Sequence, residues 1–350
     1  MERKAFMLVA RALLVLGLAA PAFAAAPAAA PSTPTAPGIP RDDEAKYQYL
    51  KDAANAVVGI KVKALANARS AQSLGVERFG SGVAIDKGLV LTIGYLILEA
   101  DQVEVITSQG RSVPAMVAAY DHATGFGLLR PLAPLEAKPI KLGTSGPIEP
   151  NHRMLVAGAG GEDSLSVATV VSRRQFAGYW EYLIDGAIFT SPPRADFGGA
   201  ALIDRHGELV GIGSLFVMDA AADGERLPGN MFVPIDLLKP ILAEMIATGR
   251  QKAGKRPWLG LSSIEDDGHI KVLRVSGDGP AEKAGIAPGD IILALAGEKV
   301  EKLEDFYRRI WSAGAPGVEI TLKVQQGAEV REIRVRSMDR LDHIRKRPTI

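Results

Sequence analysis

Cysteine is absent from this chain of 350 residues. No disulfide can stabilise it, so the fold must depend on packing, which a chain of this length can supply. An excess of charge of one sign is also lacking: the formal net charge is +1, which gives no reason to expect a nucleic-acid partner. Hydrophobic residues make up 47% and charged residues 23%, as in ordinary globular proteins, and the length favours two domains.

Motifs for phosphate and metal binding are missing as well. No glycine-rich phosphate loop occurs, and no Cys/His pair has the spacing of a metal site. The histidines lie too far apart in sequence to suggest a ligand set, and we interpret them as loop or surface residues: His122, His152, His206, His269 and His343. We therefore expect neither a metal nor a cofactor.

The N-terminus has the pattern of an export signal. A short basic start is followed by an unbroken apolar run over residues 12–22, and Ala22-Phe23-Ala24 has the small-x-small form of a cleavage site. The alternative is an uncleaved membrane anchor, but the run is much shorter than the ~20 residues that a bilayer core requires. We expect cleavage after about Ala24, a periplasmic or secreted protein, and no membrane span in the mature chain.

The rest of the chain divides by composition. Residues 25–40 are rich in Ala and Pro and predict a linker, and residues 41–56 predict a short amphipathic helix. Short apolar runs separated by Gly, Pro and Asp then predict the strands of a sandwich or barrel at 57–62, 82–85, 90–93, 103–106, 113–118, 154–157, 168–171, 200–203, 209–212 and 231–233.

Helix and strand patterns alternate in the C-terminal part. Residues 235–248 predict a helix that Pro240 kinks or shifts. After a hinge come helices near 280–284 and at 303–313, and a final strand pair at 319–324 and 332–335. The predicted segments are a signal (1–24), a linker (25–40), a first domain (41–248), a hinge (249–256), a second domain (257–336) and a basic tail (337–350), which we expect to be solvated and frayed.

Four motifs of the first domain resemble HtrA-type (trypsin-like) serine proteases. They are residues 79–86 (FGSGVAID), 89–96 (LVLTIGYL), 119–129 (AYDHATGFGLL) and 198–212 (GGAALIDRHGELVGI). The resemblance implies a mainly β fold, a chymotrypsin-like double β-barrel. It places Tyr95, Gly125 and Phe197 at the positions of the catalytic His, Asp and Ser.

These three residues cannot perform triad chemistry. Phe197 has no nucleophilic atom, Gly125 has no side chain, and a tyrosine with a reference pKa of about 10 is a poor general base near neutral pH. Asp196 would also place a carboxylate where an oxyanion should develop. We expect no catalytic residue at these positions, and predict a pseudoprotease.

Three questions about this region remain open: the alignment register, a relocated nucleophile, and the role of the aromatic residues. An ungapped alignment places Pro193 at the nucleophile position, which is again not a serine. A relocated Ser191–His122 dyad would restore a nucleophile and a base. Tyr95, Phe197 and Trp180 could fill the former cleft as core residues or line an aromatic ligand site, and we favour the core.

The second domain resembles a PDZ domain of the kind that follows HtrA proteases. Residues 258–261 (WLGL) are similar to the loop whose backbone N–H groups bind a peptide's terminal carboxylate, and residues 276–286 and 288–293 match a long contiguous PDZ motif. Residues 261–264 would form the sheet edge. The predicted peptide-binding residues are Trp258, Leu259, Gly260, Leu261, Ser262, Phe306 and Ile310, with a core role as the alternative for the last two.

Together these features predict an exported, HtrA-like pseudoprotease that binds unfolded or C-terminal peptide segments through its PDZ domain, as an adaptor or scaffold in envelope protein quality control. One alternative is an active serine endopeptidase with a non-standard nucleophile. Another is a regulatory subunit of an active HtrA-type paralogue. The resemblance also implies a homo-trimer.

Overall fold

The computed structural model describes residues 51–221, 224, 226–251 and 255–344. The predicted signal, the linker and most of the predicted 41–56 helix lie outside the described residues, although residues 51–54 are helical. None of the described helices is long and apolar enough to cross a membrane.

Six antiparallel strands close into a first barrel in the order β1-β2-β3-β6-β5-β4. Alternation of buried and exposed residues along β1 produces a strand with one face in the core, whereas β3, which is apolar except for Thr92, is buried on both faces. The strands are β1 (Val57–Ala64), β2 (Glu77–Ile85), β3 (Leu89–Ile93), β4 (Ala100–Ile106), β5 (Ser112–Tyr120) and β6 (Phe126–Pro131).

A second closed barrel has the order β10-β11-β12-β9-β8-β7. Its longest strands, β8 and β9, form a hairpin that is important for the site. The strands are β7 (Arg153–Ala157), β8 (Leu165–Gly178), β9 (Tyr182–Ser191), β10 (Ala201–Ile203), β11 (Leu209–Val217) and β12 (Gly229–Pro234).

Short helices connect these strands. They are α1 (Ala71–Leu74), α2 (Gly94–Ile97), α3 (Leu242–Thr248) and the 3-10 turns Asp86–Gly88, Gly161–Ser164 and Ile235–Leu237. The predicted helix at 235–248 is thus divided into a 3-10 turn and α3, with Pro240 between them, as expected from the missing N–H of proline.

The C-terminal domain contains a sheet of order β14-β15-β16-β18-β19, with β17 paired to β16 and β14 at one edge. Its elements are β13 (Pro257–Trp258), β14 (Leu261–Asp266), β15 (His269–Val275), α4 (Pro280–Lys283), β16 (Ile291–Leu295), β17 (Glu298–Lys299), α5 (Leu303–Ser312), β18 (Glu319–Gln326), β19 (Glu329–Arg336), β20 (Met338–Asp339) and α6 (Arg340–His343).

All ten predicted strands of the first domain are confirmed, and β6 and β9 were not among them. The expectation of a frayed tail is wrong for residues 337–344. Trp258 and Met338 pair in the short β13–β20 sheet, and the ring of His343 lies 4.7 Å from that of Trp258. Backbone pairing and ring packing therefore hold the first part of the tail on the domain.

The buried side chains form three clusters. One spans both barrels and includes Phe126 and Phe189, and a smaller one lies in the second barrel around Phe232. The third is the core of the C-terminal domain, around Phe306 and Tyr307, and it also contains Leu183 of β9. The β8–β9 hairpin is therefore packed into the core of the C-terminal domain.

Candidate functional site

The three positions predicted to correspond to a triad lie in segments that the fold brings together. Tyr95 lies in α2, and the preceding Gly94 donates its N–H to the carbonyl of Gly125 at 2.6 Å. A methyl group placed on Gly198, next to Phe197, would lie 2.8 Å from the Tyr95 hydroxyl. Segments of both barrels thus meet at one place, which we name the cleft because it contains the predicted triad positions.

Tyr95 is fixed as a hydrogen-bond donor in this cleft. Its hydroxyl donates to the carbonyl of Ser214 at 3.1 Å, and its ring packs against the cluster shared by the barrels. Burial raises the pKa of the Tyr95 hydroxyl far above neutrality. The phenol therefore keeps its proton and cannot act as a general base near neutral pH.

Gly125 leaves no room for a side chain. Its φ is +80°, a left-handed conformation that glycine adopts without strain, and an added Cβ would lie 2.8 Å from the hydroxyl oxygen of Tyr182. That hydroxyl is held by donation to the carbonyl of Thr124 at 2.7 Å. Tyr182 thus occupies the space into which a carboxylate at position 125 would project.

In the loop before Phe197, the negative charge of Asp196 is paired with the positive charge of Arg194. Phe197 itself is half-buried. The Asp196 carboxylate accepts from Nε of Arg194 at 2.8 Å, and the same guanidinium donates to the Ser166 hydroxyl at 2.9 Å. The charge that the sequence suggested would oppose an oxyanion is therefore paired with Arg194.

Ser191 and His122 have separate partners. The Ser191 hydroxyl donates to the carbonyl of Pro228 at 3.0 Å, while His122 contacts Arg340 and the hydroxyl of Tyr120. In the described part of the chain no hydrogen bond joins Ser191 to His122. Burial and the nearby guanidinium groups also lower the pKa of His122 well below its usual range. This geometry does not resemble an activated dyad.

The clearest polar constellation lies in the C-terminal domain, at the loop formed by residues 258–261, here named the carboxylate-binding loop. Three consecutive N–H groups converge on the side chain of Glu181. Leu259 N–H lies 3.2 and 3.1 Å from the two carboxylate oxygens, Gly260 N–H lies 2.8 Å from Oε1, and Leu261 N–H lies 2.9 Å from Oε1. Gly260 permits this convergence because its φ is +83°.

Glu181 is buried with its carboxyl group in this loop, and only 2% of the residue is exposed. Burial raises the pKa of the Glu181 carboxyl to about 7, although the three N–H donors and Arg340 act in the opposite direction. A carboxyl with that pKa carries a substantial proton population near neutral pH. The loop is thus a carboxyl-binding site whose occupant comes from the β8–β9 hairpin.

The backbone beside Glu181 pairs with the sheet edge. Ser263 of β14 donates its N–H to the carbonyl of Tyr179 at 2.7 Å, and the Tyr307 hydroxyl on α5 donates to the carbonyl of Gly178 at 2.8 Å. The predicted edge strand is therefore present as β14. In this structure the hairpin already occupies the main-chain N–H of Ser263, which an added strand would use.

The predicted peptide-binding residues divide into two groups. Trp258, Leu259, Gly260 and Leu261 form the carboxylate-binding loop, and Ser262 follows it half-buried on β14. Phe306 and Ile310 are completely buried, in the same cluster as Leu183 of β9. Both residues therefore lie in the core, which was the alternative to a peptide-binding role.

Sequence reasoning missed Glu181, Tyr179 and Tyr307. The one local signal was a single carboxylate within the aromatic run YWEY of residues 179–182, which is unusual for an exposed turn. The described residues contain no group of three or more His, Asp or Glu side chains that could hold a metal ion.

Comparison with known proteins identifies both domains. Residues 80–212 match a trypsin-like peptidase domain, and residues 257–336 match a PDZ domain. Serine endoprotease DegS of Escherichia coli (strain K12) is 27% identical over 300 residues, which cover 74% of this chain and 77% of DegS. Periplasmic serine endoprotease DegP of Salmonella typhimurium is 27% identical over 238 residues, 63% of this chain and 49% of DegP.

Solved structures agree with this assignment at the level of fold. The structure of the HtrA-type protease AlgW with decapeptide has a TM-score of 0.51 and 20% sequence identity, and the match covers 87% of this chain and 99% of that one. The fold is mainly β, as the sequence predicted. The chain is therefore HtrA-like, with a trypsin-like peptidase domain followed by a C-terminal PDZ domain.

Proposed function

We propose that this protein is a non-catalytic, HtrA-like peptide-binding protein that acts in envelope protein quality control. The observation that carries the proposal is the convergence of the Leu259, Gly260 and Leu261 N–H groups on one carboxylate. Such a cradle is suited to the terminal carboxylate of a peptide, and the adjacent strand β14 is suited to pairing with its backbone. We expect unfolded or C-terminal peptide segments as ligands.

The geometry of the cleft supports a non-catalytic role. A serine-type mechanism needs a nucleophile, a base that can accept its proton, and a group that orients the base. The cleft offers a phenol that retains its proton at Tyr95, a glycine closed off by Tyr182, and a phenyl ring at Phe197. We propose that this cleft has a structural role.

An active endopeptidase is the second candidate, because the relatives are named as serine endoproteases. It would require a nucleophile outside the expected position, and Ser191 is the serine that the sequence suggests. The hydrogen bond from Ser191 to the Pro228 carbonyl gives it no base. A periplasmic location is part of the proposal, supported by the name of the DegP relative and the signal-like N-terminus.

A turnover assay tests the proposal. The purified chain lacking residues 1–24 would be incubated with a fluorescently labelled unfolded protein and, separately, with a fluorophosphonate probe. An active HtrA-type protease serves as the positive control, and Ser191→Ala as the matched variant. We expect neither cleavage nor labelling. Cleavage that persists through repurification and is abolished by Ser191→Ala would contradict the proposal.

A further inference from the structure

The carboxylate-binding loop is occupied by a side chain from the same molecule. The occupying segment is the β8–β9 turn, residues 179–181, which connects two strands of the second barrel. Glu181 is separated from Leu259 by 78 positions in sequence, so the contact is a property of the tertiary fold. The hydrogen bonds between this turn and the PDZ domain resemble those that a bound peptide would make.

The turn has the register of an antiparallel peptide on β14. The Glu181 carboxylate accepts a hydrogen bond from the N–H of Leu261. Tyr179 lies two residues before Glu181, and its carbonyl accepts from the N–H of Ser263, which lies two residues after Leu261. In antiparallel pairing the position on one strand increases as that on the other decreases, and these two contacts obey that relation. Glu181 therefore has the place of a peptide's last residue.

The chain leaves the groove at the point where a free peptide would end. Glu181 has a φ of +56°, a left-handed conformation that is uncommon for residues other than glycine. This conformation directs the backbone away from the loop into β9. The side-chain carboxylate then occupies the loop in place of a main-chain terminal carboxylate.

Apolar and polar contacts hold the rest of the hairpin in place. Leu183 is buried in the PDZ core cluster, and Ala177 packs against that cluster. Tyr307 donates to the Gly178 carbonyl, and Arg308 forms an ion pair with Asp185 at 2.9 Å. The carboxylate, the paired backbone and the apolar side chain thus all come from one hairpin.

We propose that the β8–β9 turn is an internal ligand of the PDZ domain, and that a C-terminal peptide binds only by displacing Glu181 from the carboxylate-binding loop. This inference rests on the proposed peptide-binding function. Displacement breaks the main contact between the second barrel and the PDZ groove, so peptide binding is coupled to a change in how the two domains are joined. The apparent affinity for a peptide is reduced because in most molecules Glu181 occupies the carboxylate-binding loop.

The tryptophans provide a built-in reporter of this change. The chain contains three, and all of them surround the contact. Trp180 lies in the turn and stacks on Tyr182 at a ring distance of 5.4 Å, while Trp258 and Trp311 line a small cavity together with Glu181. Displacement of the turn would move Trp180 away from the PDZ domain and remove Glu181 from the cavity that Trp258 and Trp311 line, and we expect the tryptophan emission to shift to longer wavelength.

The experiment compares the wild-type chain with Glu181→Gly. Glycine removes the carboxylate and retains the left-handed backbone. The matched control is Asp267→Gly, because Asp267 is an exposed acidic residue of the PDZ domain with a φ of +47°. The probe is a pool of fluorescein-labelled hexapeptides of random sequence without tryptophan, each with a free C-terminal carboxylate. The same pool with amidated C-termini is the negative control. Binding is followed by anisotropy and folding by thermal denaturation.

We expect Glu181→Gly to bind the free-acid pool roughly tenfold or more tightly than the wild type and Asp267→Gly, with no binding of the amidated pool. Peptide at saturation should red-shift the wild-type tryptophan emission. Equal affinity of wild type and Glu181→Gly, or wild-type binding without an emission change, would overturn the inference and leave the proposed function intact. Absence of binding by a folded Glu181→Gly protein would contradict both.

Discussion

The cleft between the barrels and the carboxylate-binding loop differ in which atoms carry their chemistry. In the cleft, serine-type catalysis would depend on three side chains, and Tyr95, Gly125 and Phe197, the residues that we predict at the triad positions, would provide none of the required groups. In the loop, recognition depends on backbone N–H groups of Leu259, Gly260 and Leu261. A backbone site needs little from the side chains except a glycine at the left-handed position.

Under the proposed function, this difference would let an HtrA-like chain bind peptides without cleaving them. Substitution of a triad member removes catalysis, because the reacting atoms belong to that side chain. Substitution around the loop leaves the N–H donors in place as long as the backbone conformation is retained. Substitutions in each region test this difference.

The largest effect is expected from restoring a carboxylate in the cleft. Gly125→Asp combines left-handed strain with a clash against the Tyr182 hydroxyl, and we expect it to lower the free energy of unfolding by about 3 kcal/mol. Gly110→Asp is the matched control, because Gly110 has the same φ of +80° and open space around it, and it should cost about 1 kcal/mol. Urea denaturation measures both.

The same substitution also tests the cleft's chemistry. The triple variant Tyr95→His, Gly125→Asp, Phe197→Ser should remain without turnover of unfolded protein, because Tyr182 prevents the carboxylate from reaching the position beside the imidazole. Turnover by this variant would show that the cleft is blocked only by the identity of those three residues and would contradict the account of Tyr182.

A smaller effect is expected at the loop. In Gly260→Ala the new methyl group would lie 3.2 Å from the Trp258 ring and 3.3 Å from Cβ of Ser276, and the left-handed strain would tilt the N–H groups away from Glu181. We expect a loss of about 2 kcal/mol in the free energy of unfolding and weaker binding of the free-acid peptide pool.

Gly297→Ala provides the control for this change. Gly297 is in the same domain, has a φ of +87° and has no atom within 4 Å of an added Cβ, so the substitution should cost about 1 kcal/mol and leave peptide binding unchanged. Equal losses in the two variants would mean that the loop geometry contributes nothing beyond ordinary backbone strain.

The pH dependence of peptide binding provides a further test. The pKa of the Glu181 carboxyl is about 7 in the bound turn, and a carboxyl released to water has a pKa of about 4.3. Because the bound turn has the higher pKa, protonation favours it, and the turn is released as the pH rises from about 4.3 towards 7. Peptide affinity should therefore increase about twentyfold between pH 5.5 and 7.5.

The variant Glu181→Gly separates this dependence from that of other groups around the site. Arginine side chains stay protonated in proteins, burial raises the pKa of the Tyr307 hydroxyl, and burial lowers the pKa of His122 and of His343, whose ring packs on Trp258. Affinity measured by anisotropy should be independent of pH in Glu181→Gly. A wild-type affinity that is also independent of pH would contradict the role of Glu181 as the displaced group.

The smallest effect is expected for Tyr307→Phe. The substitution keeps the buried ring and removes only the hydrogen bond from the hydroxyl to the Gly178 carbonyl. We expect the free energy of unfolding to fall by about 1 kcal/mol and the peptide affinity to increase by several-fold, since the turn is held less firmly. If the peptide affinity is unchanged while the free energy of unfolding falls, this hydrogen bond does not help to hold the turn against displacement by a peptide.

Local sequence patterns were sufficient for much of this fold. Ten of the twelve barrel strands, all except β6 and β9, follow from short apolar runs bounded by Gly and Pro, and the WLGL loop follows from its glycine and the adjacent PDZ motif. The position of Glu181 could not be predicted in this way, because no local rule connects a carboxylate at 181 with N–H groups at 259–261. The packing of His343 on Trp258 was missed for the same reason.

The most direct test is the structure of the wild-type chain in complex with a free-acid peptide selected from the pool. The measured quantity is the distance from the Leu261 nitrogen to the nearest carboxylate oxygen, which is 2.9 Å to Glu181 in the free chain. We predict that the peptide's terminal carboxylate takes this position and that Glu181 has left the loop. A peptide bound elsewhere, with Glu181 still within hydrogen-bond distance of Leu261, would contradict it.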